Sequence, residues 1–221
     1  MLRQVRDLRG LTIAATDGDI GRAHDLYLDD HRWTVRSLVV DTRPWPAGRR
    51  VLISPHSVFR ADWPRRRLEV ALTKEEIRRR PDIDTDQPVA GRPAVSLRRA
   101  RRVAGYALQA LDGEVGHIHD FVIDDETWVI RYLVAETRDW WPGKKVLVPR
   151  EWIAWVSWLE LKVHVDLHRE ILRHAPEYDP ARPIQGDDEA RLGRYYGRPT
   201  CRAFRENGRG ARRRRSSRAI N

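Results

Sequence analysis

Asp112 to Val148 reads DGEVGHIHDFVIDDETWVIRYLVAETRDWWPGKKVLV, and the chain carries DGDIGRAHDLYLDDHRWTVRSLVVDTRPWPAGRRVLI from Asp17 to Ile53. The two stretches align without a gap at a shift of 95 positions. Asp-Gly, Gly21/Gly116, His24-Asp25/His119-Asp120, Asp29-Asp30/Asp124-Asp125, Trp33/Trp128, Arg36/Arg131, Trp45/Trp140 and Gly48/Gly143 coincide, and the register continues through Trp63/Trp158, Pro81/Pro176, Asp84/Asp179 and Pro88/Pro183. Stacked solenoid units repeat every ~20–50 residues, so a copy this long is a duplicated domain. The expected boundaries are residues 1–84 and 105–184 for the copies, 85–104 for a Pro, Gly and Arg-rich linker, 185–204 for a short helical segment and 205–221 for a disordered tail.

Each copy reads as a string of short strands. Leu11 to Ala15 leads into the Asp17-Gly18 turn, and Arg22 to Asp29 follows with His24, Leu26 and Leu28 on one face. Trp33 to Asp41 is rich in β-branched residues and apolar on both faces at Leu38, Val39 and Val40, which predicts a strand covered on both sides. Val51 to Ile53, a short strand at Trp63 and Leu68 to Leu72 supply further strands, and Thr73 to Glu76 opens a helix in the capping-box pattern. His168 to Ile171 lacks both capping residues, so a weaker helix is expected there. Short strands joined by Gly, Pro and Asp turns indicate a small barrel or sandwich in each copy, closed around its own tryptophans.

The formal net charge of +10 is localised. Of 42 basic residues, 11 arginines lie from Arg191 onward, with only one of the 32 acids, Glu206, so the preceding residues carry none of the excess. Any electrostatic attraction to phosphates or an anionic surface therefore belongs to Arg209, Arg212, Arg213, Arg214, Arg215 and Arg218. Cys201 is the single cysteine and has no internal disulfide partner. No run approaches the ~18 apolar residues of a membrane span, and MLRQVRDLRG lacks the apolar segment of a secretory signal. A cytoplasmic location is expected.

The duplicated stretch, with Pro176-Glu177-Tyr178-Asp179 and its first-copy equivalent Pro81-Asp82-Ile83-Asp84, resembles the PRC-barrel domain. Arg194-Tyr195-Tyr196-Gly197-Arg198-Pro199 resembles a segment that often follows such domains. The resemblance covers about residues 1–90 and 100–200. It implies a mainly β protein of two tandem small barrels, each followed by a short helix. The family includes the cytoplasmic part of the photosynthetic reaction centre H subunit and the carboxy-terminal barrel of the bacterial ribosome-maturation factor. In both, the barrel docks onto other macromolecules without chemistry of its own. A non-enzymatic adaptor with a protein partner is therefore expected, without cofactor. The alternatives are an RNA- or ribosome-associated factor using the basic tail, peripheral contact with a membrane complex, and an enzyme with a polar pocket built jointly by the two barrels.

Individual residues were weighed in the same way. Adjacent His24-Asp25 and His119-Asp120 point to opposite faces of a strand and are not expected to converge on an ion, so surface and turn hydrogen bonds are expected and no metal site. Asp29-Asp30 and Asp124-Asp125 suit turns. Arg36 and Arg131, inside apolar strands, call for an ionic brace to Asp25/Asp120 or Asp41/Glu136. Trp141, Trp152 and Trp155 have no first-copy counterparts and form a candidate protein-interaction patch, since aromatic residues are enriched at interface hot spots. No nucleophile constellation or phosphate loop is visible, so no catalytic residue is expected.

Overall fold

The computed structural model describes residues 1–43, 48–80, 97–137 and 143–197. Contacts divide the chain into two compact units, Met1–Pro183 and Ile184–Asn221. The larger is mainly β. It opens with β1 (Leu2–Gln4) and the single turn α1 (Val5–Leu8). The first copy follows as β2 (Thr12–Ala15), β3 (Gly18–Asp29), β4 (Thr34–Asp41), β5 (Arg50–Ile53), β6 (Val58–Asp62), β7 (Arg67–Val70) and α2 (Lys74–Arg78). After β8 (Leu97–Arg99) and α3 (Ala100–Val103), the second copy repeats it as β9 (Ala107–Ala110), β10 (Gly113–Asp124), β11 (Val129–Thr137), β12 (Lys145–Pro149), β13 (Ile153–Ser157), β14 (Lys162–Val165) and α4 (Arg169–His174). In the smaller unit, α5 (Gly186–Tyr196) runs from a Gln185/Asp188 capping box to Gly197 in the left-handed conformation that favours glycine. This is the short helix expected within residues 185–204.

Within each copy the ladders run in the same order, β5-β4-β3-β2-β7-β6 and β12-β11-β10-β9-β14-β13, antiparallel except for the parallel pairs β2/β7 and β9/β14. The doubly apolar strand is covered on both faces as expected: Leu38, Val39 and Val40 are buried, as are Leu133, Val134 and Ala135. Both β3 and β10 begin earlier than the sequence suggests, and both are bulged, between Ala23 and Asp25 and between Ile118 and Asp120. Leu26, Tyr27, Leu28 and Asp29 are all buried in succession, so this end of β3 is covered on both faces.

Two separate barrels were expected, whereas the strands of both copies join one sheet. Among the described residues no ladder links β5 to β6 or β12 to β13, and the sheet is not closed. Trp33 and Trp128 form the junction. Each has positive φ, 52° and 57°, and each donates its N–H to the aspartate four residues back, Asp29 or Asp124. A left-handed aromatic residue costs ~1–3 kcal/mol and persists only where its surroundings dictate it. Here both indoles are buried, and each tryptophan carbonyl accepts an N–H from the other copy, Val35 to Trp128 and Ile130 to Trp33, both at 2.8 Å.

The copies also exchange their leading segments. β1 precedes the first copy yet pairs with β10 of the second, and β8 precedes the second copy yet pairs with β3 of the first. Residues 97–103, inside the stretch expected as linker, are therefore strand and helical turn. α1 packs against β10 and β3, and α3 against β3. Val5, Leu8, Ala100 and Val103 are all buried there.

The expected capping box of α2 is present, and the Thr73 backbone N–H holds the Glu76 carboxyl below its usual range. α4 lacks a side-chain cap of its own, as expected, and Asp112 in the β9–β10 turn accepts the Arg169 N–H at 2.8 Å. That bond holds the Asp112 carboxyl below its usual range, and Asp17 serves Lys74 in the same way at 2.9 Å. In α4, Asp112 from outside the helix supplies an acceptor that the helix's own sequence lacks.

Candidate functional site

The carboxylates next to the repeated histidines are not surface groups. Asp25 and Asp120 are buried, and each takes a backbone N–H from the exchanged turn: Arg101 N to Asp25 at 3.3 Å and Arg6 N to Asp120 at 3.2 Å. Asp25 also accepts the Leu26 N–H at 2.8 Å. Each short turn, with no side-chain cap of its own, thus finds its acceptor in the other copy. Burial pushes Asp120 up to about 6, against hydrogen bonds from Phe121 and Arg6 that pull it down.

Arg36 and Arg131 are braced, but by different partners from those expected. Arg36 lies 3.3 Å from Asp29 and Arg131 3.9 Å from Asp124. The same aspartates close the turns, each with one oxygen accepting the N–H groups two and three residues on. One carboxylate therefore serves both the turn and the arginine.

Gly21 and Gly116 let neighbouring strands touch. A Cβ at Gly116 would sit 2.0 Å from the Glu136 carbonyl oxygen, and one at Gly21 2.2 Å from that of Asp41. Only glycine fits. Beyond this close approach, the side chains of β10, β11 and β12 converge in the second copy. His117 is directly opposite Glu136, which is opposite Lys145. His119, two residues on, faces the same carboxylate. Glu136 Oε2 is 3.0 Å from His119 Nδ1, 3.8 Å from His117 Nε2 and 3.7 Å from Lys145 Nζ. All three acid and imidazole groups are half-buried. Burial, reinforced by Lys145, lowers the pKa of His119 and outweighs the opposing pull of Glu136.

Pairing His119 with adjacent Asp120, on the opposite face, hides this trio. The spacing His117-x-His119 on a strand is the signal that points to it. First-copy equivalents are Arg22, His24, Asp41 and Arg50. There Asp41 is held below its usual range by a short hydrogen-bonded pair with Arg43, with Arg50 3.8 Å away. Burial and Arg50 lower the pKa of His24. An open cleft of about 560 Å³ lies here, lined by Arg9, Arg22, His24, Asp41, Arg43 and Arg101. The two copies thus present different chemistry at one place in the fold.

Of the aromatic patch, Trp141 lies outside the described residues, as do Trp45 and Trp140. Trp152 is half-buried, and Trp155 is 54% exposed on β13, stacked on His164 of β14 at 3.7 Å. Its exposed neighbours in this hairpin are Leu159, at 95%, and Leu161, at 50%, which the sequence had not singled out. The corresponding first-copy positions are Arg60, Pro64 and Arg66. Trp33 and Trp128 are buried, with Trp33 6.4 Å from Phe121 of the other copy. Trp63 donates its indole N–H to Asp125 at 2.9 Å. Packing between copies, not closure around separate interiors, is their role. Arg209, Arg212, Arg213, Arg214, Arg215 and Arg218 all lie outside the described residues, as does Cys201. Among the described residues no helix is long and apolar enough to cross a membrane. Compared with protein-family models and with curated proteins, the chain matches none.

Proposed function

We propose that the protein is a non-enzymatic adaptor of the PRC-barrel type that binds a protein partner through the β13–β14 hairpin of its second copy. The observation that carries this is the exposure of Trp155, Leu159 and Leu161 together on one hairpin, where the first copy has two arginines and a proline. A rigid aromatic side chain beside exposed leucines is the composition of an interface anchor. The body around it is neutral overall, so apolar contact rather than general charge attraction selects the partner. The repeated strand order, with a short helix after each copy, supports the family reading.

The test is capture from native lysate by the immobilised full-length protein, with and without nuclease, beside a Trp155→Ser/Leu159→Ser variant. Protein partners that survive nuclease and are lost from the variant are the expected result. Capture unaffected by the double substitution overturns the hairpin as the docking surface. Capture abolished by nuclease and by deletion of residues 205–221 favours the second reading, an RNA- or ribosome-associated factor, for which the confinement of the net charge to the tail is the supporting observation.

A further inference from the structure

We infer that His117, His119 and Glu136 form a binding site for a divalent transition-metal ion of the zinc class, present in the second copy and absent from the first. The ligand set is two imidazoles and a carboxylate, the donor chemistry of zinc and its neighbours rather than of calcium or magnesium. Ligands bonded at ~2.0–2.1 Å in a tetrahedral arrangement are about 3.3 Å apart. His119 and His117 stand 3.0 and 3.8 Å from Glu136 Oε2, close to that separation, and rotation of the side-chain tips closes the remaining spread on binding. Their ligand atoms lie within 4.8 Å of one another.

The backbone prepares the arrangement. His117 and Glu136 are direct cross-strand partners, held in close register by the contact that Gly116 permits. His119, two residues on, brings a second imidazole to the same carboxylate. Three protein ligands leave a fourth tetrahedral position for water or a partner's side chain.

Two features limit affinity. His117 Nδ1 is buried without a hydrogen-bond partner, so no outer acceptor fixes that ring. Lys145 competes with the ion for Glu136 and must swing aside when it binds. The first copy provides an internal control, because Arg22 replaces His117 at the equivalent strand position and removes one imidazole from the ligand set.

The test is titration of the full-length protein with zinc by calorimetry and with cobalt(II) by visible absorption. Three variants accompany the wild type: His117→Arg, which installs a residue the first copy already accommodates, Glu136→Gln, and the first-copy control His24→Ala. The expected result is one equivalent bound by wild type and by His24→Ala, with binding weakened at least about tenfold by His117→Arg and by Glu136→Gln. Lys145→Met, which removes the competing ammonium, is expected to tighten binding. Absence of zinc binding up to millimolar concentration overturns the inference. So does binding that neither His117→Arg nor Glu136→Gln changes, which would place the ion on other side chains. Because the readout is metal affinity, the outcome is independent of whether the hairpin docks a protein.

Discussion

Cutting the chain between its copies separates an exchanged architecture from two self-sufficient domains. A protease site inserted within residues 85–96 yields two pieces, each holding the segment that the other needs: β1 and α1 lie on the first piece but pair with β10, and β8 and α3 lie on the second but pair with β3. Burial of Val5, Leu8 and Val103 contributes ~1.5–3 kcal/mol each, before the two exchanged ladders and the hydrogen bonds to Asp25 and Asp120 at ~1 kcal/mol apiece. The pieces are therefore expected to co-elute on gel filtration at micromolar concentration under native conditions and to separate in denaturant. Val103→Ala provides a graded check. The residue is fully buried in α3, which packs on β3 of the other piece, so losing two methyl groups costs about 2 kcal/mol and weakens association of the cut pieces about 30-fold. Equilibrium sedimentation measures that ratio. Two folded pieces that part without denaturant would refute the exchange as a stabilising feature.

Two other perturbations test particular residues. Asp120 titrates near 6 in the folded protein against 3.8 for the free side chain, so the native state binds the proton more tightly and stability rises as pH falls through that window. Between pH 7.5 and 5 the wild type should gain about 1 kcal/mol relative to Asp120→Asn in urea unfolding, and parallel pH profiles would contradict the burial argument. Gly116→Ala places a methyl group 2.0 Å from a backbone carbonyl and forces β10 and β11 apart, with an expected loss of at least about 2 kcal/mol. Retention of the wild-type urea midpoint would show that the strands can shift without cost.

Much of the local structure was legible. Leu38, Val39 and Val40 announced a strand covered on both faces, Thr73 and Glu76 a capped helix, and Asp29 and Asp124 the turns, because each depends on neighbours in the chain. The exposed hairpin was half legible: Trp155 stood out as extra to the second copy, whereas Leu159 and Leu161 resemble core leucines until their turn is seen to project into solvent. The metal-ligand trio was within reach through His117-x-His119, but its carboxylate was not. Glu136 lies 17 residues from His119 and meets it only through the register of a bulged ladder.

By itself the sequence determined that one β-rich unit is present twice, and it did so through 95-residue periodicity carried by turn aspartates, glycines and tryptophans. It did not decide which copy each strand serves. The leading segments Leu2–Gln4 and Leu97–Arg99 are near-equivalents, so each has two similar edges to choose from, β3 and β10, and pattern alone treats the choices as equal. The tertiary structure made the choice where Trp33 and Trp128 cross and where Asp25 and Asp120 accept the N–H groups of the turns that reach over. Those contacts join residues about 75 or more positions apart, and only closing the whole unit brings them together.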